Sequence, residues 1–346
     1  MHMADALISP AVGVTMWTAS AGMIAYCSTK IRAERDERKT PLMGVLGAFL
    51  FAAQMINFTI PATGSSGHIG GGLLLAILLG PHAAFLTIAS VLVVQALFFA
   101  DGGLLALGCN IFNLGFFPAF IAYPLIHRTI TGARPSRSRL TAATIIAAIA
   151  GLQMGALGVV VETVASGISS LPFSTFIGLM LPIHLAIGTV EGVVTAAVVA
   201  FVYAARPDII QNVREGQPIA QRPLRPLLLT FLATAILTGG VVSWFASRNP
   251  DGLEWSIAKA TGQNVVKAPE SRLHASLATL QKKIAFLPDY SFSESERKSP
   301  QPANLMTERN GERLGSSVSG IIGGLTTLSL IGVISLLFKR RTLPAR

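Results

Sequence analysis

Histidine is the residue type whose placement in this chain most directly suggests chemistry. Two of the six histidines could meet at one face of the molecule: His2, next to the N-terminus, and His68, within a glycine-rich stretch. The α-amine of Met1, the amide nitrogen of His2 and its imidazole Nδ1 could hold one metal ion in two fused chelate rings. His68 could fill the fourth position of the resulting square plane. Such a nitrogen plane suits Ni(II) or Cu(II), and its ligands can also bind Co(II).

The residues around His68 fit a ligand but also fit an ordinary turn. Gly67 and the neighbouring glycines let the backbone approach closely, and Ser65 and Ser66 could form hydrogen bonds that orient an imidazole. Spacing alone leaves open the alternative of an exposed terminal histidine and a second histidine in a turn. A phosphate-binding loop is disfavoured because the pattern Gly-x-x-x-x-Gly-Lys-[Ser/Thr] is absent.

The composition indicates that membrane helices must position these residues. Of the 346 residues, 51% are hydrophobic and 13% are charged, against about 25% charged in soluble domains. The net charge of +10 comes from basic residues that separate apolar runs, so we predict no nucleic-acid partner. The two cysteines, Cys27 and Cys109, lie in apolar runs, which excludes a disulfide scaffold and a metal site built from several thiolates.

We therefore predict an all-α polytopic membrane protein, because most apolar runs contain the roughly 20 residues that a bilayer crossing needs. The third run is short enough to be a half-helix or a re-entrant piece, which leaves the number of crossings at nine or eight. The predicted segments are 8–27, 41–58, 69–80, 82–100, 104–126, 140–166, 173–205, 226–246 and 317–338.

The distribution of lysine and arginine predicts the orientation. Four segments, all on one side if nine runs cross, hold 17 of the 27 basic residues, and this side is expected to be cytoplasmic. The N-terminus and the glycine-rich loop 59–72 then lie outside. The four basic segments are 28–40, 127–139, 206–225 and 339–346.

Two parts of the chain can be distinguished from the spacing of the runs. Residues 1–205 contain seven closely spaced segments, which we expect to form a helix bundle. Residues 206–225 form a polar cytoplasmic linker, and residues 226–346 form a two-helix hairpin around a long outside loop at 247–316.

Residues 1–205 resemble the CbiM/NikM family, whose members are the substrate-binding S components of energy-coupling-factor (ECF) importers for cobalt and nickel. The resemblance implies that Met1, His2 and His68 supply the metal ligands, with Ser65, Ser66, Gly67 and Asn57 as supporting positions. The residues that carry it are Met1-His2-Met3, Ser9-Pro10, Asn57-Phe58, Pro61, Gly64-Ser65-Ser66-Gly67-His68, Gly71-Gly72, Gly80-Pro81, Gln95-Ala96-Leu97-Phe98, Asp101-Gly102-Gly103, Leu107-Gly108 and Asn110.

One departure from this family concerns the N-terminus. The usual opening is Met-His-Ile-Pro-Glu-Gly, whereas this chain continues Met3-Ala4-Asp5-Ala6 after the histidine. The ligating positions are spared, but the packing of the terminus could differ.

The second part resembles the small CbiN/NikN subunit, so the chain looks like a fused M–N protein. Its one histidine, His274, lies in a loop rich in lysine and serine. We therefore expect the hairpin to assist metal loading without supplying the main ligands. The matching residues are Asn249-Pro250-Asp251-Gly252-Leu253-Glu254-Trp255 and Pro288-Asp289-Tyr290.

The resemblance also implies partners. Without a nucleotide-binding motif the chain is not expected to be an enzyme, and ATP hydrolysis is expected from CbiO/NikO-like ATPase subunits. A CbiQ/NikQ-like T component in the same bilayer would dock on small residues at four-residue spacing, Gly44, Ala48 and Ala52. That face could instead pack within the bundle. Ala21 and Ala25 form a shorter version on the first helix.

We predict Ni(II) as the substrate and keep Co(II) as the alternative. Four nitrogens in a plane suit low-spin Ni(II), and an M–N fusion resembles the nickel branch of the family more than the cobalt branch. The expected location is the bacterial or archaeal plasma membrane, with the N-terminus outside and the C-terminus in the cytoplasm.

Polar residues inside apolar runs leave another class of function open. Glu162 and Glu191 are costly in a bilayer, and His184 shares a helix face with Glu191. They could form a proton relay of an ion-coupled secondary transporter, although buried helix-to-helix hydrogen bonds are the simpler interpretation. A membrane enzyme is disfavoured because no convergent catalytic set stands out. As single residues, His82, His127, His274 and Asp101 are interpreted as turn, helix-end or loop residues.

The charge pattern gives a topology that labelling can test. Residues 65 and 260 are both expected outside, and a single cysteine introduced at position 260 should react with a membrane-impermeant maleimide added from outside. Cysteines at position 35 and near the C-terminus should react only after permeabilisation, because the basic segments are retained in the cytoplasm. Labelling of position 35 from outside would contradict this orientation.

Overall fold

Long apolar helices dominate the computed structural model, which describes residues 2–34, 36, 38–132, 136–168, 171–262, 271–292 and 305–338. Helices are expected in hydrocarbon because they satisfy their own backbone hydrogen bonds. The predicted all-α polytopic fold is confirmed. In the described part of the chain, five helices are long and apolar enough to cross a membrane: Pro81–Phe98, Leu107–Thr131, Arg137–Ser166, Phe173–Ala205 and Arg313–Leu336.

The first part of the chain folds as the predicted bundle, in which each of the seven predicted segments contains a helix. One long helix, Leu107–Thr131, consists of three consecutive stretches. It begins as α5 (Leu107–Ile111), continues as a wider π-helix at Phe112–His127 that contains two prolines, and ends as α6 (Arg128–Thr131). The helices of this part are α1 (Pro10–Glu34), α2 (Lys39–Gln54), α3 (Gly72–Leu79), α4 (Pro81–Phe98), α5 (Leu107–Ile111), α6 (Arg128–Thr131), α7 (Arg137–Ser166) and α8 (Phe173–Ala205).

The third segment combines a buried loop with a short helix. Helix α3 has eight residues, which corresponds to about 12 Å and is too short to span hydrocarbon. The preceding residues 65–71 are not helical, but residues 65–80 are all buried within the protein. Non-helical backbone at membrane depth is tolerated where protein surrounds it. The short segment therefore carries the His68 loop into the interior of the bundle.

A small β-hairpin leads into this loop. Strand β1 (Phe58–Ile60) pairs antiparallel with β2 (Ser65–Gly67), and the turn between them contains Ala62 and Gly64 with positive φ. The predicted second segment, 41–58, is therefore too long, since its helix ends at Gln54 and the chain becomes extended at Phe58. The hairpin fixes the direction in which the next residues enter the bundle.

The second part is more ordered than the sequence suggests. Among its described residues, the predicted outside loop 247–316 contains the two helices α11 (Gly252–Thr261) and α12 (Arg272–Ile284), which pack over the bundle. Helix α11 begins with a capping box formed by Asp251 and Glu254. The expectation of a solvated loop is wrong for these residues. The linker contains α9 (Pro207–Glu215), and the helices of the second part are α10 (Arg225–Gly240), α11 (Gly252–Thr261), α12 (Arg272–Ile284) and α13 (Leu305–Phe338).

The expected partner-docking face on α2 is covered by the chain's own C-terminal hairpin. A Cβ added at Gly44 would lie 3.7 Å from Leu328 of α13, and Ala48 lies 3.8 Å from a Cβ added at Gly324. Ala52 lies 3.4 Å from a Cβ added at Gly239 of α10. Small residues bring these helices into close contact, so this face is buried inside the fused chain.

Two of the predicted cytoplasmic segments meet at the end of the bundle away from His2. The Asp36 carboxylate accepts a hydrogen bond from the Ile219 amide at 2.8 Å, and Nη1 of Arg38 donates to the Ala220 carbonyl at 2.9 Å. Segments 28–40 and 206–225 therefore lie at the same end, as the charge pattern predicts.

The contact between the two parts of the chain predicts a difference between adjacent glycines. A Cβ at Gly239 would lie 3.0 Å from the Cα of Gly320, whereas Gly240 has no such neighbour. Gly239→Leu should lower the midpoint of thermal unfolding in detergent, because overpacking costs about 1–3 kcal/mol. Gly240→Leu is the control and should leave the midpoint nearly unchanged. Equal effects of the two substitutions would contradict the close helix contact.

Candidate metal centre

The N-terminal segment is threaded into the bundle and held there by its backbone. The amide of Met3 donates to Oδ1 of Asn110 at 2.8 Å, and Nδ2 of Asn110 donates to the Met3 carbonyl at 3.3 Å. The amide of Gly103 also donates to this carbonyl, at 2.9 Å. Since the Met3 side chain is fully buried, the position of residue 2 is fixed from both the backbone and the core.

Asp5 adds a second anchor for the same segment. Its Oδ1 accepts hydrogen bonds from the amides of Leu105 and Ala106, at 2.8 and 3.0 Å. A Cβ at Gly103 would collide with Asp5, so only glycine permits this approach. The departure from the family opening at residues 3–6 therefore retains an acidic residue that ties the terminus to the bundle.

The structure brings His2 and His68 together. Their imidazole rings stack with centroids 4.9 Å apart and an interplanar angle of 8°. Both residues are buried or nearly so. Nδ1 of His68 lies 3.1 Å from the carbonyl oxygen of Ile69. A carbonyl can only accept, so this contact places the proton on Nδ1 and makes Nε2 the unprotonated nitrogen of the ring.

Asp101, which sequence reasoning assigned to a turn, is part of this centre. Its Oδ1 lies 3.1 Å from Nδ1 of His2, while Nε2 of His2 is buried without a hydrogen-bond partner. Burial raises the pKa of Asp101, but the neighbouring His2 and hydrogen bonds from His2 and Tyr290 outweigh this and hold that pKa well below its usual range. Asp101 is therefore ionised. The predicted ligand Met1 lies outside the described residues.

The second part of the chain reaches the same carboxylate through Tyr290. The phenol hydroxyl of Tyr290 donates to Oδ2 of Asp101 at 2.5 Å, and its ring stacks on Phe99 at a centroid distance of 5.1 Å. Asp289 and Tyr290 both adopt positive φ, a costly conformation for residues other than glycine that is often found at functional sites. A chain of contacts thus runs from the C-terminal part through Asp101 to His2.

Ser65 and Ser66 hold the second part of the chain and do not orient an imidazole as we expected. The hydroxyl of Ser66 donates to the carbonyl of Asn249 at 2.7 Å, and its amide donates to the carbonyl of Pro250 at 2.8 Å. Ser65 donates to the backbone of Ser66 and Pro250. These contacts fasten the start of helix α11 to the His68 loop.

Asn57 contributes through its backbone, since its carbonyl accepts a hydrogen bond from the Ser247 amide at 2.7 Å. Gly67 has a steric role, because a Cβ there would lie 2.5 Å from Ile187 of α8. Both residues therefore place the His68 loop and the segment that covers it.

Glu191 positions the loop that carries His68. Its two carboxylate oxygens accept hydrogen bonds from the amides of Gly70 and Gly71, at 3.0 and 2.9 Å. A buried carboxylate is costly unless it is hydrogen-bonded, and here the backbone of the loop satisfies both oxygens. Sequence reasoning noted Glu191 as a possible relay residue but could not identify these partners across 120 positions.

The proposed relay between Glu191 and His184 does not form. Nδ1 of His184 contacts the Met180 carbonyl at 2.7 Å within its own helix, and its Nε2 is buried without a hydrogen-bond partner. Glu162 instead accepts a hydrogen bond from Nδ2 of Asn113 at 2.7 Å. The helix-to-helix interpretation is therefore correct for Glu162.

Helices α11 and α12 close over the centre. Nε2 of His274 lies 3.0 Å from the Ile8 carbonyl, and Nε1 of Trp255 donates to the Thr63 carbonyl at 2.9 Å. His274 is buried, so its assignment to a solvated loop is wrong. Among the described residues, no three side chains of histidine, cysteine, aspartate or glutamate form a metal-binding group.

Comparison with known proteins identifies the family. Residues 2–209 match the family model of CbiM, described as a cobalt uptake substrate-specific transmembrane region, and residues 225–340 match the PDGLE domain. The chain belongs to the CbiM family and joins it to a CbiN-like PDGLE domain, which is the arrangement of a NikMN-type fusion.

Individual relatives agree with this assignment. A putative fused nickel transport protein NikMN of Archaeoglobus fulgidus is 37% identical over 216 residues, covering 61% of this chain and 68% of that protein. A cobalt transport protein CbiM of Sorangium cellulosum is 31% identical over 221 residues, covering 62% and 96%. The crystal structure of a transition metal transporter superposes with a TM-score of 0.54 at 29% identity, covering 61% of this chain and 97% of that one.

The contacts of Asp101 predict the effect of changing its hydrogen-bond partners. Asp101→Asn should weaken metal binding about 10–100-fold, since residues that support a ligand typically contribute this much. Tyr290→Phe should weaken it less, because the carboxylate remains. Tyr26→Phe, which changes the same group at an exposed position, should have no effect. Metal affinity can be measured by isothermal titration calorimetry in detergent, and unchanged affinity in Asp101→Asn would contradict a supporting role.

Proposed function

We propose that this chain is the substrate-binding component of an energy-coupling-factor importer for Ni(II). The ion would be held by the Met1 amine, the amide and imidazole of His2, and the imidazole of His68. The observation that carries this proposal is the stacking of His2 on His68, at a point where the buried Met3 backbone fixes the terminus. A metal site of this kind needs the first residues of the chain inside the bundle, and the threaded segment provides that position.

Nickel is favoured over cobalt by the number and type of the ligands. Terminal amine, amide and two imidazoles supply four nitrogens, and such a set in one plane suits Ni(II). Relatives named as fused nickel transport proteins share the two-part organisation of this chain. Co(II) remains the alternative substrate.

Chelation would require one rearrangement of the ring of His2. In the structure Nδ1 of His2 lies against Asp101, but the two fused chelate rings require this same nitrogen. Turning the imidazole would move Nδ1 to the metal and bring the N–H at Nε2 toward the carboxylate. Asp101 would then be the acceptor that orients a metal-bound histidine, an arrangement common in metal sites.

We place the N-terminus and the cover formed by α11 and α12 on the outer face of the membrane. The supporting observation is the clustering of basic residues in segments that meet at the other end of the bundle. Metal would therefore enter from outside. The many contacts of the cover with the His68 loop support a role for the hairpin in loading, while the main ligands come from the first part.

Transport would depend on a CbiQ/NikQ-like T component and CbiO/NikO-like ATPase subunits, since no nucleotide-binding motif is present in the sequence. The covered face on α2 leaves the T component to dock elsewhere. On α1, Ala21 and Ala25 remain exposed, with the open Gly22 between them. This small-residue face is suited to close helix contact.

An ion-coupled secondary transporter has less support. A proton carrier must change its partners during transport, whereas both oxygens of Glu191 are committed to the backbone of the His68 loop. We therefore assign Glu191 to positioning of the loop.

A free and unshifted N-terminus is the feature of this proposal that is most easily tested. Acetylation of the Met1 amine, or a long N-terminal tag, should abolish stoichiometric nickel binding because the amine ligand is lost. His2→Ala should be equally damaging, and His68→Ala should weaken binding less completely because three nitrogens remain. The same tag at the C-terminus is the control and should have no effect.

The readout is nickel bound per purified chain, with helicity followed by circular dichroism. Tight, stoichiometric binding in the acetylated protein would contradict the amine ligand and leave at most a histidine-only site.

A further inference from the structure

A cavity lies at the end of the bundle opposite His2. It has a volume of about 290 Å³ and lies between the Leu107–Thr131 helix, α8 and α9. Asn110 of this helix holds the N-terminal segment, and His127 of the cavity follows 17 positions later. The backbone between them is almost entirely π-helical, so the two sites lie near opposite ends of this helix. The cavity is therefore distinct from the metal centre.

The cavity combines a cationic rim with a buried imidazole. Arg128 and Arg214 line it, and neither forms an ion pair with a carboxylate in the described part of the chain. Among the described lining residues none is acidic. His127 is 3% exposed and stacks on Tyr123, but both of its ring nitrogens lack a hydrogen-bond partner. A buried polar group without a partner is unusual and calls for an explanation, such as a bound water, an ion or a ligand.

The charge of the rim decides which ligand fits. Two arginines repel a divalent cation, so the cavity is poorly suited to hold the transported metal. Guanidinium groups bind phosphate oxygens well, often through two parallel hydrogen bonds. Tyr203 and Gln211 add neutral polar groups to the lining, and Ile77 is part of its apolar floor.

We propose that this cavity binds one phosphate group, held by Arg128 and Arg214 and contacted by the imidazole of His127. The phosphate could belong to the headgroup of an anionic phospholipid or be free in the cytoplasm. Basic pockets between membrane helices on the cytoplasmic side commonly bind anionic headgroups, and the apolar floor suits the attached glycerol and acyl carbons. The cytoplasmic location rests on the orientation proposed above, whereas the phosphate chemistry does not.

Native mass spectrometry of the full chain in detergent can test this site. Phosphatidylglycerol is added in competition with phosphatidylcholine of the same acyl chains, and inorganic phosphate is tested separately by its effect on thermal unfolding. The variant Arg128→Gln/Arg214→Gln should bind the phosphate-bearing probe at least about tenfold more weakly than the wild type, because it loses charge-assisted hydrogen bonds. The control Arg137→Gln/Arg225→Gln removes the same charge from exposed positions outside the cavity.

The two probes distinguish the source of the phosphate. Retention of one phosphatidylglycerol by the wild type and the control, but not by the cavity variant, would support a lipid headgroup. Stabilisation of the wild type and the control by inorganic phosphate alone would support a free anion. The site is refuted if neither probe distinguishes the cavity variant from the wild type, or if the control loses as much binding.

The imidazole can be tested separately with His127→Phe, which keeps an aromatic ring beside Tyr123 and removes both nitrogens. Binding of the effective probe should fall several-fold, and unchanged binding would refute the contact with His127. Nickel binding at the outer centre should remain stoichiometric in all of these variants. Loss of nickel binding by the wild type itself would refute the proposed import function and leave the phosphate site unaffected.

Discussion

The fixed position of the N-terminal backbone is the constraint on which the rest of the structure depends. A chelate that starts at the first residue can form only if the chain end is held at the ligand loop. Here the hydrogen bonds between Met3 and Asn110, together with the carboxylate of Asp5, hold the segment inside the bundle. Polar backbone buried among helices needs such partners. The glycines at 102 and 103 leave the space that this segment occupies.

The loop with His68 must be held from the opposite direction with similar accuracy. Glu191 of α8 holds this loop in place, because its carboxylate accepts hydrogen bonds from two consecutive amides of the loop. The PDGLE segment covers the loop from outside through Ser66, and Tyr290 reaches Asp101 beside His2. Fusion of the two parts therefore places hydrogen-bond donors of the second part directly against the centre formed by the first. The tight packing of α10 and α13 on α2 keeps this cover in register.

Much of the fold could be predicted from the sequence because hydrophobic length and charge asymmetry act locally. Apolar runs located the helices, and the unusual position of His2 indicated the centre. The third segment, with its short helix and buried loop, could not be derived from apolar runs and charge, since burial of the loop at 65–71 depends on neighbouring helices. The order within 247–316 was also missed, because its helices are stabilised by packing on the bundle rather than by long apolar runs.

The surroundings of the candidate site were harder to predict than the meeting of His2 and His68. Asp101 was interpreted as a turn residue, since its partners His2 and Tyr290 lie far away along the chain. Ser65 and Ser66 are close to His68 in sequence, which suggested hydrogen bonds to its imidazole, but their hydroxyl groups contact the backbone of the second part. Gly44, Ala48 and Ala52 correctly indicated close helix contact, but the helix that fills this face belongs to the same chain. In each case the residue type predicted the interaction, while the tertiary fold determined its partner.

X-ray absorption spectroscopy of the nickel-loaded chain would test the central claim most directly. The account predicts a square-planar pre-edge feature and a shell of four nitrogen neighbours, with imidazole scattering from two histidines. This is the shell expected when the terminal amine and a deprotonated backbone amide join two imidazoles. A six-coordinate, oxygen-rich shell, or one with imidazole ligands only, would contradict the N-terminal chelate.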